Sequence, residues 1–193
     1  MTSRAAALRE LHDRILTCRR CPLWKVRHHA VPGEGPAEGT IMIVGEAPGR
    51  QEDAAGRPFV GAAGRVLEDL LVEAGLARGE IYITNVIKSH PTEVKGGANR
   101  APRPEEIAAC RPWLEAQLAI INPRVVITLG THALQAFRPG AKISQVHGRP
   151  FTHEGRTIVP LYHPAVARYG ARELLARDIQ RVRQVVAGVG REP

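Results

Sequence analysis

The chain alternates between two hydrophobic patterns. Residues 40–44, 81–87, 125–129 and 157–162 form short runs that are almost wholly apolar and rich in Ile and Val. Runs of that length, broken off by Gly, Asn or His, predict strands buried on both faces. The segments around them repeat at helical spacing. Residues 3–17 put Leu8, Leu11, Ile15 and Leu16 on one face, and residues 62–76 carry Val66, Leu67, Leu70 and Leu71 ahead of Gly75. Pro104, Glu105 and Glu106 open a third helix that reaches about Ile121, with proline in its first turn. A short helix near 131–137 and a last helix over about 171–187 complete the order. Gly- and Pro-rich residues 31–39, a long polar loop after the first strand, and residues 88–103 read as connections. Strands and helices that alternate in this way predict an α/β fold: a single domain over residues 1–193, three-layer αβα, with a central four-stranded parallel sheet flanked by helices.

Open parallel sheets bind ligands beyond the carboxyl ends of their strands. Here those ends carry chemistry. The first strand runs into Gly45, Glu46, Ala47 and Gly49, and the second holds Asn85. The third reaches Gly130, Thr131 and His132, and the fourth meets His163. Taken singly, these fit a loop glutamate, a turn asparagine or a surface histidine. Their shared position marks them as a set in which a carboxylate, an amide and an imidazole converge. Phe59, between Pro58 and Gly61 in a polar loop, suits stacking on a flat ring or plugging the loop onto the core. The 88–103 loop, with Lys88, Lys95, Arg100 and Arg103 beside two glycines, suits phosphate contacts or a solvated loop.

Charge sharpens the reading. Lys and Arg number 27 against 19 acids, a net charge of +8 over 193 residues. That excess favours a polyanionic partner. The N-terminal stretch is broken by charges, and no stretch approaches the ~20 apolar residues of a membrane span, which implies a cytoplasmic protein with no membrane partner. Its three cysteines are then not a disulfide framework. Cys18 and Cys21, in Cys-x-x-Cys spacing, fit a zinc or an iron–sulfur site, and these residues alone leave the two open. Cys110, inside the third helix, fits a ligand or a small buried hydrophobe, and His90 can complete four ligands.

Several motifs together resemble the family 4 uracil-DNA glycosylases. Gly45-Glu46-Ala47-Pro48-Gly49, followed by Gln51-Glu52-Asp53 and by Gly56 to Gly61, is similar to that family's first motif. Thr84 to Lys88 resembles its central strand, Asn99 to Pro102 the segment after it, and His163-Pro164-Ala165 its second motif. The resemblance implies hydrolysis of the N-glycosidic bond of deoxyuridine in single- or double-stranded DNA, by a monomer. It implies Glu46, Asn85 and His163 as catalytic residues. Gly45, Ala47, Gly49 and Phe59 join Asn85 and His163 around the base, and Lys88, Arg100 and Arg168 meet the DNA. It also implies a structural [4Fe–4S] cluster. Cys18, Cys21 and Cys110 match three of the four family cysteines, while Ser89 stands where the remaining one is expected. Imidazole substitutes for cysteine at iron–sulfur centres, so neighbouring His90 is the expected fourth ligand, with Ser89, a water or a three-iron cluster as alternatives. Cross-linking relatives resemble the chain at Cys110-Arg111-Pro112-Trp113-Leu114, but their reactive histidine lies where this chain has Gly97 to Pro102, without histidine. Turnover is therefore expected rather than covalent capture.

Overall fold

The structure, a computed structural model, describes residues 3–189. Its strands are β1 (Ile41–Gly45), β2 (Ile81–Asn85), β3 (Val125–Leu129), β4 (Phe151–His153) and β5 (Arg156–Leu161). The helices are α1 (Arg4–Leu16), α2 (Arg50–Ala55), α3 (Ala62–Glu73), α4 (Pro104–Ile121), α5 (Thr131–Gln135), α6 (Ile143–Val146) and α7 (Arg172–Val189). One sheet forms, in the order β2-β1-β3-β5-β4. Four strands are parallel, as expected, but β4 pairs antiparallel with β5 through Phe151↔Ile158 and His153↔Arg156. The expectation of a four-stranded, wholly parallel sheet is thus corrected to a five-stranded mixed sheet. The extra strand is three residues long and only half buried, so it carries no apolar run. Its turn is nonetheless written locally. Glu154 and Gly155 both take positive φ, at 47° and 74°, as a two-residue hairpin of primed type requires.

Side chains alternate across the sheet at period two. Met42, Val44, Tyr82, Val126 and Ile158 join Leu8, Leu11 and Ile15 of α1 and Trp113, Leu114 and Ile121 of α4 in one apolar cluster. Ile41, Ile43, Ile81, Ile83, Val125, Ile127, Val159 and Leu161 meet Leu67, Leu70 and Leu71 of α3 and Leu175, Ile179 and Val182 of α7 in the other. Each of the four parallel strands β1, β2, β3 and β5 therefore buries both faces, which gives the three layers. The register Gly45↔Asn85 and Leu129↔Leu161 brings the carboxyl ends of all four parallel strands to one edge. No helix among the described residues is long and apolar enough to cross a membrane.

Candidate active site

At that edge Gly45 lies beside Asn85, and the absence of a side chain on Gly45 makes a slot. A Cβ there would come within 2.6 Å of Phe59 Cζ and would also press on Asn85 Oδ1. Asn85 is 1% exposed, and its Oδ1 is buried with no hydrogen-bond partner. A buried amide oxygen without a partner carries a desolvation cost that a ligand donor removes. Phe59 faces the same slot from the loop. Its φ is +51°, strained for a side chain of that size, and Gly64 lets α3 press on the Phe59 carbonyl, where any Cβ would collide. Glu52 fastens this loop, because its carboxylate accepts from the amides of Gly49 (3.1 Å), Val60 (3.0 Å) and Gly61 (2.7 Å).

His163 closes the far side. Its ring centroid is 6.1 Å from that of Phe59, and Gly130 leaves room for its Cβ. The Ala165 amide donates to His163 Nδ1 at 3.2 Å. Nδ1 is therefore unprotonated and the neutral ring carries its proton on Nε2. Burial lowers the His163 pKa, against the opposing pull of Glu46 and Glu52. Glu46, half-buried at the rim, bonds His132 Nδ1 through Oε2 at 2.8 Å. Ala47 is half-buried next to it.

Other expected contacts fall elsewhere. Lys88 is 1% exposed, and its ammonium donates to Thr84 Oγ1 (2.7 Å), the Asn85 carbonyl (2.6 Å) and Gln117 Oε1 (2.7 Å). Burial lowers its pKa to about 7. It cannot reach a phosphate; it braces the end of β2. Arg100 pairs with Glu106 at 2.6 Å and with Glu93 at 2.8 Å, so its guanidinium is engaged inside the protein. The Gly49 amide is taken by Glu52. Arg168 is exposed just past His163, beside Tyr169, which is 87% exposed. The loop-fastening role of Glu52 and the His132 contact were not legible beforehand, since both depend on how separate loops meet.

The Uracil DNA glycosylase superfamily matches residues 32–187. Type-4 uracil-DNA glycosylases are similar to the chain along most of its length. That of Thermotoga maritima is 40% identical, covering 98% of this chain and all of its own. Those of Sulfurisphaera tokodaii (39% identical, 93% of this chain and 84% of the relative) and Pyrobaculum aerophilum (44%, 82% and 83%) agree. The chain belongs to the type-4 uracil-DNA glycosylases.

One expectation drawn from that family fails in this member. The Cys18 sulfur accepts from Trp113 Nε1 at 3.3 Å. Interaction between Cys21 and Cys110 lowers the Cys21 thiol pKa and, together with burial, raises that of Cys110. Arg27 donates to Ser89 Oγ at 2.9 Å and, through its other terminal nitrogen, to the Leu16 and Cys18 carbonyls. His90 is fully buried with Nε2 bonded to Asn99 Oδ1 at 2.7 Å. Among the described residues no three His, Cys, Asp or Glu side chains are grouped so as to hold a metal ion. The expected [4Fe–4S] site of Cys18, Cys21, Cys110 and His90 is therefore corrected: Cys18 is engaged by Trp113, Cys21 and Cys110 interact with each other, and His90 Nε2 is turned to Asn99 while its buried Nδ1 has no partner.

Proposed function

We propose that this protein excises uracil from DNA by hydrolysing the N-glycosidic bond of deoxyuridine, leaving an abasic site. The observation that carries this reading is the orphaned Asn85 Oδ1, buried beside Phe59 in the slot left by Gly45. The names of the similar proteins point the same way.

The target nucleotide leaves the base stack and enters the slot, where Phe59 stacks on the ring. Asn85 Oδ1 accepts from uracil N3–H and Nδ2 donates to O4. Cytosine presents the reverse pattern and leaves both groups unsatisfied. As the C1′–N1 bond breaks, its electron pair moves onto the base and charge gathers at O2. His163 Nε2–H donates there, an effect worth roughly 3–4 kcal/mol. A water oxygen bonds to C1′ and releases its proton to solvent, while the departing uracil anion takes one up. Glu46 orients that water or stabilises the positive sugar. Arg168 meets the DNA backbone beside the site, and the +8 charge steers the approach.

The test is incubation with an oligonucleotide holding one deoxyuridine, then alkaline cleavage and a denaturing gel, with cytosine and thymine oligonucleotides as controls. Cleavage of the uracil strand alone is expected.

A further inference from the structure

Glu46 is held by a residue outside the motifs. β1 and β3 are parallel neighbours, with Val44 beside Thr128, so residues just past their ends lie across a narrow gap. The chain turns at Gly130, with φ of +88°, and α5 begins at Thr131. This turn brings His132 to Glu46, with Nδ1 2.8 Å from Oε2. Among the described residues no other side chain bonds the Glu46 carboxylate. The opposite side of His132 is also defined, because the residue lines a cavity of about 180 Å³ together with Val86, Leu114 and Phe137.

We infer that His132 is a positioning residue for the glycosylase reaction: its Nδ1–H fixes Oε2 of Glu46 and leaves Oε1 to serve the water or the sugar. The inference rests on the role of Glu46 proposed above. A carboxylate on an open loop end, one-third exposed, samples several rotamers, and water competes for it. A short donor bond selects one of them before substrate arrives, the kind of preorganisation in which a displacement of about 1 Å costs up to ~10²-fold in rate. His132 and His163 thus divide the work. One imidazole orients the carboxylate on the sugar side, and the other, with Nδ1 occupied by Ala165, faces the base.

Glycosylase rates on a uracil oligonucleotide, at saturating and limiting enzyme, test this. His132→Ala should lower the rate of the chemical step by roughly 10- to 100-fold, with KM and DNA affinity little changed and a melting temperature near that of the parent. His132→Asn should recover most of the loss, because its Nδ2 can stand where Nδ1 does. His132→Leu fills the space without donating and should behave as alanine does, which keeps the test valid if the alanine variant folds poorly. In a Glu46→Ala background, His132→Ala should add nothing further. Unchanged activity in His132→Ala and His132→Leu, no recovery by asparagine, or additive losses with Glu46→Ala would each overturn the inference while leaving uracil excision intact. Full activity of Glu46→Ala would overturn both the role of Glu46 and that of His132.

Discussion

Replacing Gly45 with alanine should close the base slot while leaving the fold standing. The added methyl would lie 2.6 Å from Phe59 Cζ and 2.9 Å from Cε2, and would press on Asn85 Oδ1, whereas ordinary contact begins at 3.4 Å. The two neighbours must therefore each yield by roughly 1 Å, a local overpacking that costs about 1–3 kcal/mol. Neither yields easily. Asn85 ends a fully buried strand with its carbonyl tied to Lys88, and the Phe59 backbone is pinned between the Glu52-fastened loop and Gly64. The displacement thus falls on the two groups that grip the base, and misplacement of that size costs about 10²-fold in the chemical step. Single-turnover uracil release, read beside a thermal melt, separates the two effects. A variant that melts within a few degrees of the parent yet reacts at least tenfold more slowly agrees with the argument. A folded Gly45→Ala protein with the parental rate would show that the slot does not hold the base.

Asn85→Asp should lose nearly all uracil release and gain a trace of cytosine release, since a carboxylate cannot donate to O4; single-turnover assays on both oligonucleotides check this. Burial lowers the His163 pKa from 6.5, so just below pH 6.5 the unfolded chain binds a proton that the folded protein refuses. Stability should then fall as the pH drops from 6.5 to the lower folded-state value, and His163→Asn should remove that part of the loss in denaturant titrations across this range. Arg168→Ala should reduce the slope of log affinity against log salt by about one, as loss of a phosphate contact does, whereas Arg100→Ala should leave the slope alone and destabilise the fold by about 1–3 kcal/mol, because the buried Glu106 carboxylate would keep only the Arg103 amide.

The parallel core was readable because β1, β2, β3 and β5 are apolar on both faces, and the strand ends were readable because sheet topology says where a ligand goes. Glu46, Asn85, Phe59 and His163 do meet there. Elements of mixed polarity were not readable. β4 has two half-exposed residues flanking the exposed Thr152, and α2 buries a single residue, Asp53, whose carboxylate accepts from the His28 and His29 amides. Cations misled for a related reason. Lys88 and Arg100 look like surface charge in a basic loop, yet Gln117 and Glu106, brought in by α4, supply their partners. The cysteine spacing had the same limit. Cys-x-x-Cys fixes sequence distance but not direction, and Trp113 takes the Cys18 sulfur.

Selection and release of uracil at the strand-end site of this chain is open to direct test. Its most direct test is single-turnover incubation of the purified protein with otherwise identical oligonucleotides carrying uracil, cytosine or thymine at one position, with free base quantified by chromatography. Stoichiometric uracil, no detectable cytosine or thymine, and a rate lowered about 10²–10³-fold in His163→Ala are expected, the last being the scale for loss of one oxyanion donor. Intact uracil-containing DNA after prolonged incubation with folded protein would contradict it.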